Sequence, residues 1–369
     1  MLLFINPLLI SSLNNGLALT PPMGWSTWNV FYCDYTEVDL MQIADMLVAT
    51  GMLSAGYKYL NIDDCWEASS RDPTSGMLQY NETKFPHDCC YQDNIKDRAT
   101  AFTRWSAALS VQNRSILYSC DTDELILNEN NLEFPFQWAP DYCNMARISW
   151  DIYDKWESTL SILDRAANIY YASRPGYWND LDILTVGLGQ QTLEEYTSQF
   201  SLWAIISSPL IAGNDLRKMT KEIINILTNT EVIAINQDKL GRSGNMIRRA
   251  FDGSYEVWAK PLYYEHTPQF YNIDSAPHFN PLPFHAVVLL NRLNTTANIT
   301  FNFDDLFDHY LCPHPPTPIW TVSIRDLWLH QNLGTFVETW TTTNVPAHGV
   351  RMITVLLTNT TISHDRYIS

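Results

Sequence analysis

Hydrophobic positions in the first 235 residues alternate between helical spacing and short apolar runs. Apolar residues recur at helical spacing in segments 36–57, 94–111, 154–172, 192–207 and 218–227. Between them lie short runs that end in polar residues, at 59–66, 115–120, 146–151, 177–183 and 209–215. A repeated order of strand, polar ending and helix predicts a parallel (β/α)8 TIM barrel, in which chemistry occurs where the strands end.

The pattern changes after about residue 243, where short β-like runs replace helical spacing. These runs are 255–258, 284–290, 297–303, 319–322 and 349–357. They predict an antiparallel β-sandwich. We therefore assign residues 13–240 to a catalytic barrel and 241–369 to a C-terminal β-sandwich domain. Residues 1–12 are apolar without a basic start, which fits a truncated signal peptide or a plain N-terminal extension.

Composition narrows the choice of ligand. The chain has 369 residues, of which 46% are hydrophobic and 17% charged, as expected for a globular protein with a large core. Its formal net charge is −17, which argues against nucleic acid and anionic membranes as partners and favours a neutral ligand. The N-terminal apolar segment has 12 residues, and no run of about 18 apolar residues, the length of a membrane span, occurs elsewhere.

Sequons and cysteines indicate a secreted glycoprotein. Five Asn-x-Ser/Thr sequences occur, at Asn81, Asn113, Asn294, Asn298 and Asn359. The seven cysteines are typical of an oxidising compartment, in which disulfides persist. Because seven is odd, at least one cysteine has no partner within this chain.

Two strand-like runs end in residues suited to binding a sugar. One ends in Asp63-Asp64-Cys65-Trp66, and an earlier one ends near Trp28. Carboxylates accept hydrogen bonds from sugar hydroxyls, and an indole stacks on the apolar face of a sugar ring. The alternative interpretation of the two aspartates is a surface turn with solvated acids.

A third run supplies a candidate acid. In Arg147-Ile-Ser-Trp-Asp151, the period of two places Arg147, Ser149 and Asp151 on one face of a strand. Cleaving a glycosidic bond needs a pair of carboxylates, about 5–5.5 Å apart in a retaining enzyme. A purely structural Arg147–Asp151 pair is the alternative.

Several motifs together resemble glycoside hydrolase family 27, the α-galactosidase and α-N-acetylgalactosaminidase family. The matching stretches are 15–28, 59–66, 115–120, 147–156, 175–182, 208–216 and 232–241. They include Pro-Pro-Met-Gly-Trp, Asp-Asp-Cys-Trp and Trp-Asn-Asp-Leu-Asp, and they run through the barrel into the start of the sandwich.

The resemblance implies a role for each matching residue. Trp28 lines the sugar pocket, Asp63 and Asp64 bind the O4 and O6 hydroxyls of galactose, and Asp151 is the acid/base. Arg147 contacts the hydroxyls near C2 and C3. Asp121 stands where α-galactosidases usually carry a glutamate that contacts the 2-hydroxyl, and it is one methylene shorter.

The resemblance also implies supporting residues and disulfides. Asp180 and Asp182 support the site without performing chemistry. Cys33 pairs with Cys65, and Cys120 pairs with Cys143. The acid pairs Glu194-Glu195 and Asp304-Asp305, which lie outside the matching motifs, are predicted to be solvated.

The largest departure from the family lies after Phe85-Pro86-His87. The family continues there through a helix, a strand and a loop to a strand that ends in Lys-x-Asp-x-Cys, whose aspartate is the nucleophile. This chain passes directly to Asp88-Cys89-Cys90, so on the order of 40–60 residues are absent, one to two βα units of such a barrel. By position, Asp88 is the candidate nucleophile.

The sequence thus predicts a retaining exo-α-galactosidase that requires no cofactor or metal and acts on small carbohydrate α-galactosides. A catalytically inactive galactose-binding protein is one alternative. An α-N-acetylgalactosaminidase or a β-L-arabinopyranosidase of the same family is another, because the surroundings of Asp121 and Asp63 set the choice of sugar.

Overall fold

The structure, a computed structural model, describes residues 12–76, 79–85, 103, 106–107, 109–110, 116–122, 135–265, 283–307 and 318–362. The chain divides into two compact units. The first contains residues up to 192 together with 208–228, and the second contains 193–207 together with the chain from 229 onward. The domain boundary at residue 240 stays a prediction.

The secondary structure follows the alternation that the sequence predicts. The strands are β1 Met23–Ser26, β2 Tyr59–Asn61, β3 Ser119–Cys120, β4 Met145–Arg147, β5 Trp178–Asp180, β6 Leu210–Ala212, β7 Asn245–Arg249, β8 Tyr255–Pro261, β9 Phe284–Asn291, β10 Ala297–Asn302, β11 Pro318–Asp326, β12 Gln331–Val337, β13 Thr339–Val345 and β14 Val350–Ile362. The helices are α1 Trp28–Phe31, α2 Glu37–Ala49, α3 Met52–Ala55, α4 Pro135–Tyr142, α5 Trp156–Ala166, α6 Leu193–Ile206, α7 Lys221–Leu227, α8 Thr230–Asn236 and α9 Asp304–Phe307.

Among its described residues, the first unit contains two parallel three-stranded sheets, ordered β2-β1-β6 and β3-β4-β5. A parallel bridge between Leu184 and Ala212 connects the segment after β5 to β6. The strands therefore form one arc from β3 to β2, which is the barrel architecture that the sequence predicts. Gly24 permits the close approach of β1 and β2, because a Cβ there would lie 2.4 Å from the carbonyl oxygen of Tyr59.

Helix α2 shows how local sequence builds the outer layer of this unit. The carboxylate of Asp39 accepts hydrogen bonds from the backbone N–H and the hydroxyl of Thr36, which closes the start of the helix. Leu40, Ile43 and Leu47 follow at spacings of three and four and are buried.

The second unit is an antiparallel β-sandwich, as predicted. Six strands form one sheet, ordered β12-β11-β14-β9-β8-β7, and β10 pairs with β13 in the other. Val257, Leu289, Phe301, Val322 and Val345 lie in the shared core. Helices α6 and α8 pack together, and α6 also contacts β8, β9 and β14.

Two sequence-based expectations are wrong in detail. Strand β4 ends at Arg147, so residues up to Asp151 do not continue a strand with a period of two. The acid pairs are solvated only in part: Glu194 is exposed as predicted, but Glu195 lies 2.7 Å from the ring of His348, and Asp305 lies 2.7 Å from the guanidinium of Arg248. In the part of the chain that the structure describes, no helix combines the length and apolarity needed to cross a bilayer.

Candidate active site

The carboxyl ends of β1 and β6 approach each other closely at the mouth of the barrel. The indole N–H of the buried Trp25 donates to the carbonyl of Asn214, at 2.8 Å. Gly213 lies between Ile183 and Asn29, and a Cβ on it would lie 2.5 Å from Cγ2 of Ile183. Glycine at this position therefore lets the segment after β5 approach the start of α1, where Trp28 lies.

Asp63 and Asp64 form a turn just after β2, and their backbone is held from two sides. The hydroxyl of the buried Tyr35 donates to the carbonyl oxygens of Asp63 and Asp64, at 3.1 and 2.8 Å. The hydroxyl of Thr27 accepts from the N–H of Asp63, at 2.9 Å. Asp63 is partly exposed and Asp64 is exposed, and Oδ1 of Asp63 accepts from the N–H of Asp64 at 2.8 Å.

The pKa of Asp64 is raised by partial burial and then by the neighbouring acids Asp63 and Glu67. Clustered carboxylates that face solvent repel each other, and hydrogen bonds from hydroxyl groups stabilise their negative charges. The turn therefore suits a neutral polyhydroxylated ligand.

Lys84 fastens the residue after this turn to the end of α1. Its ammonium donates to the carbonyls of Cys33 and Cys65, at 2.7 and 2.9 Å, and lies 5.0 Å from the ring centre of Tyr35. Cys33 and Cys65 form a disulfide, and Cys65 has a φ of 72°, which is uncommon for a residue other than glycine. A covalent bond and a cation thus hold the same strained backbone.

On the opposite side of the mouth, Arg147 joins two carboxylates. Its Nη2 lies 2.8 Å from Oδ2 of Asp182 and 3.0 Å from Oδ1 of Asp151. Asp182 is almost fully enclosed, whereas the side chain of Asp151 is 60% exposed. Asp151 is therefore oriented by the arginine and open to a ligand.

Asp182 also holds the backbone of the two segments that follow the neighbouring strands β4 and β5. Its carboxylate accepts from the N–H of Ile152 at 2.8 Å and of Ile183 at 2.7 Å. Its φ is 81°, and its N–H donates to Oδ1 of Asp180, at 2.9 Å. Burial raises the pKa of Asp182 to about 7, against the opposing effect of Arg147. Burial likewise raises the pKa of Asp180.

The pKa of Arg147 reflects opposing influences. Burial lowers it, and the acids Asp182, Asp180, Asp121 and Asp151 raise it, with a net upward shift. Arg147 therefore stays protonated. Its Nε is enclosed and has no hydrogen-bond partner among the described atoms.

Asp121 follows β3 directly and is exposed. Beside it, the hydroxyl of Thr122 donates to the carbonyl of Arg147. Cys120 and Cys143 form a disulfide that links β3 to the segment before β4. Both disulfides implied by the resemblance are thus present in the structure.

The structure brings Arg147, Asp151, Asp180 and Asp182 together, and it places Asp63 and Asp64 in one turn. Asp88, the candidate nucleophile, lies outside the described residues. Sequence reasoning missed Tyr35 and Lys84, whose partners are carbonyls that no motif marks. Side chains that donate to backbone carbonyls leave only a weak signal in a sequence.

Active sites of such barrels lie at the strand ends, and glycoside hydrolases use paired carboxyl groups there for their chemistry. The family model described as "Alpha galactosidase A" matches residues 20–88 and 87–238, and the model for the α-galactosidase C-terminal β-sandwich domain matches residues 279–355. The chain belongs to this α-galactosidase family. The two stretches of the first match meet at 87–88, where the sequence places the shortening.

Curated relatives support the same assignment. "Alpha-galactosidase 2" of Arabidopsis thaliana is 33% identical, with 93% of this chain and 91% of the relative covered. A "Probable alpha-galactosidase" of Dictyostelium discoideum is 32% identical, with 95% and 96% covered. The Arabidopsis alignment spans 397 positions, more than the 369 residues of this chain, so it contains gaps in this chain.

Solved structures show the same fold. α-Galactosidase I from Mortierella vinacea superposes with a TM-score of 0.78 at 28% identity, covering 93% of this chain and 98% of that one. The Saccharomyces cerevisiae α-galactosidase solved with raffinose has a TM-score of 0.76 at 23% identity, covering 95% and 100%, which supports the fold alone.

Proposed function

We propose that this protein is a retaining exo-α-galactosidase that releases terminal α-D-galactosyl residues from oligosaccharides or glycoconjugates. The observation that carries the proposal is the group formed by Arg147, Asp151 and Asp182: an exposed carboxyl, oriented by an enclosed arginine, at a barrel mouth of this family. The curated relatives that this chain matches over most of their length are named α-galactosidases.

Residues on both sides of the barrel mouth bind galactose. Asp63 and Asp64 accept hydrogen bonds from the O4 and O6 hydroxyls, and their clustered charge favours hydroxyl donors over anions. Trp28 packs on the sugar face. Arg147 and Asp121 face the hydroxyls near C2 and C3.

The reaction proceeds through two displacements. First, a carboxylate oxygen bonds to the anomeric carbon while the glycosidic bond breaks, and the leaving oxygen takes its electron pair and the proton of Asp151. Second, Asp151, now ionised, removes a proton from water, whose oxygen attacks the anomeric carbon and releases the enzyme carboxylate. Galactose and the free alcohol leave, and both carboxyl groups return to their starting states.

Asp88 is the nucleophile in this proposal, supported by its Asp-x-Cys context and its position in the matched family region. It follows the described segment that ends at Phe85, which packs against the ring of Tyr35 with centroids 6.2 Å apart. Phe85, three residues before Asp88, thus contacts the residue whose hydroxyl holds the Asp63–Asp64 turn.

The test is release of p-nitrophenol from its α-galactoside by this chain, by Asp151→Asn and by Asp45→Asn. Asp45 is an exposed acid on helix α2 and serves as the matched control. We expect wild type and Asp45→Asn to be active and Asp151→Asn to lose at least about 100-fold. An inactive wild type that melts cooperatively would refute the function, and an active Asp151→Asn would refute the role of Asp151.

Secretion and N-glycosylation complete the proposal. Asn81, Asn294 and Asn298 lie in described segments, and Asn294 and Asn298 are exposed. Asn113 lies outside the described residues, as does the side chain of Asn359. Expression in a secreting eukaryotic host, followed by peptide N-glycosidase and mass spectrometry, tests each sequon by its Asn-to-Asp mass change.

A further inference from the structure

Two exposed aromatic side chains flank the candidate acid. In the segment after β4, Trp150 is 44% exposed and Tyr153 is 65% exposed, and Asp151 between them is 60% exposed. Their neighbours Ser149 and Ile152 are buried. Burial of these neighbours anchors the segment, so the three exposed residues are presented by a fixed backbone.

Hydrogen bonds hold this segment along its length. Ile152 donates its N–H to Asp182 at 2.8 Å, and Tyr153 donates its N–H to the hydroxyl of Ser158 at 3.0 Å. The buried carboxylate of Asp154 accepts from Gln190 and Gln191, at 2.8 and 3.0 Å. A surface held in this way loses little conformational entropy when a ligand binds.

The position of the acid defines what lies beside these rings. An acid that protonates a glycosidic oxygen must come within hydrogen-bonding distance of it, so the leaving group lies next to Asp151. Single exposed aromatics are common on protein surfaces. Here two of them adjoin the one carboxyl that the leaving group must meet, and aromatic rings stack on the apolar faces of sugars.

We propose that Trp150 and Tyr153 form a leaving-group subsite that binds the sugar or another apolar-faced aglycone attached to the galactose. This inference rests on the proposed function and goes beyond it, because it names a determinant of aglycone preference. The leaving group is not an anion, since the acids around Arg147 outnumber its single positive charge.

The experiment compares substrates that share galactose and differ in the leaving group. Wild type, Trp150→Ala, Tyr153→Ala and Phe251→Ala are assayed on raffinose, with a disaccharide leaving group, and on methyl α-galactoside, with a minimal one. Phe251, fully exposed between β7 and β8, is the matched control. Free galactose, which occupies only the galactose pocket, is measured as a competitive inhibitor.

We expect kcat/KM for raffinose to fall about fivefold to tenfold in each of the Trp150 and Tyr153 variants. The methyl galactoside rate and the galactose inhibition constant should change less than about twofold, as should every value for Phe251→Ala. An equal fall on both substrates would mean that the variants displace Asp151, and no fall on raffinose would mean that the rings do not contact the leaving group. Either result overturns the subsite.

A binding measurement separates this inference from the proposed function. In calorimetry with Asp151→Asn, raffinose should bind more tightly than galactose, and Trp150→Ala added to that variant should remove the difference. A wild type without activity refutes the proposed function, whereas equal affinities for the two sugars refute the subsite.

Discussion

Arg147 and Asp182 form an ion pair of 2.8 Å between side chains that are 13% and 8% exposed. The pair joins the end of β4 to the segment just after β5. Asp182 also accepts from the N–H of Ile152, next to the candidate acid. The orientation of Asp151 therefore depends on a buried carboxyl that does not itself face the ligand.

Replacing Asp182 by asparagine should change how stability depends on pH. Burial raises the pKa of the carboxyl group in the folded state to about 7, whereas the pKa of an unfolded aspartate is about 3.9. Between these values only the folded state holds the proton, so this stabilising contribution is complete below about pH 4 and is lost as pH rises through about 7. We expect the melting temperature of the wild type to fall from pH 5 to pH 8 and that of Asp182→Asn to fall less.

Asparagine is a suitable replacement because it tolerates the φ of 81° at this position. Asp180, whose pKa is also raised by burial, remains in the variant, so part of the fall in melting temperature with rising pH persists. Activity of Asp182→Asn should fall about tenfold or more, because an amide offers one acceptor oxygen where the carboxyl group offers two to Arg147, Ile152 and Ile183. If the melting temperatures of the wild type and Asp182→Asn depend on pH in the same way, Asp182 is not the group that titrates.

Removing the hydroxyl of Tyr35 should weaken galactose binding. Tyr35→Phe keeps the buried ring and loses the hydrogen bonds to the carbonyls of Asp63 and Asp64. We expect a loss of about 1 kcal/mol in unfolding free energy. KM for an α-galactoside should rise about threefold to tenfold, because the turn is no longer held in position.

Tyr57→Phe is the matched control for this experiment. Tyr57 is also buried. Its hydroxyl donates at 2.8 Å to the carbonyl of Leu227, which is not part of the Asp63–Asp64 turn. Its loss should cost a similar free energy of unfolding while KM stays unchanged. Equal KM values in the two variants would mean that Tyr35 serves stability alone.

Much of this molecule can be predicted from local pattern. The alternation of apolar runs and helical spacing predicts both sheets of the barrel unit, and Asp63, Asp64 and Asp151 stand out because each follows an apolar run. Contacts between distant segments cannot be predicted in this way. The hydroxyl of Tyr35 reaches carbonyls 28 and 29 residues away, and a carbonyl has the same appearance in every sequence.

The prediction of solvated acids is wrong for Glu195 and Asp304 for the same reason, although Glu194 is exposed. Glu195 meets His348 and Asp304 accepts from the indole of Trp320, at 2.7 and 2.8 Å. His348 lies 153 residues from Glu195 in sequence. Adjacent acids resemble a solvated face unless the fold that brings them a donor is known.

Lys84→Met tests whether the cation positions the turn. Methionine retains the apolar stem and removes the hydrogen bonds to the carbonyls of Cys33 and Cys65. We expect a loss of only about 1 kcal/mol in stability, because the ammonium is partly exposed and water replaces some of its bonds. KM for an α-galactoside should rise severalfold.

Lys221→Met is the control for this change, since Lys221 is an exposed lysine at the start of α7. Its KM and melting temperature should match the wild type. A Lys84→Met enzyme with normal KM would show that the disulfide between Cys33 and Cys65 holds the backbone without the cation.

Gly213→Ala should disturb both sides of the mouth at once. The new Cβ would lie 2.5 Å from Cγ2 of Ile183 and 3.1 Å from Cβ of Asn29, so one of these residues must move. Ile183 donates its N–H to Asp182, and Asn29 follows Trp28, so either movement shifts a group at the site. We expect a loss of about 1–3 kcal/mol in stability and a fall of more than about tenfold in kcat/KM.

Gly16→Ala separates this steric effect from backbone strain. Gly16 has a φ of 77°, and a Cβ added there would have no neighbouring atom within 4 Å, so alanine costs about 1–2 kcal/mol of conformational energy without a clash. Both variants should therefore melt at lower temperature than the wild type, while only Gly213→Ala should lose activity. If Gly213→Ala keeps full kcat/KM, the close approach of Ile183 and Asn29 is a packing feature that the chemistry does not require.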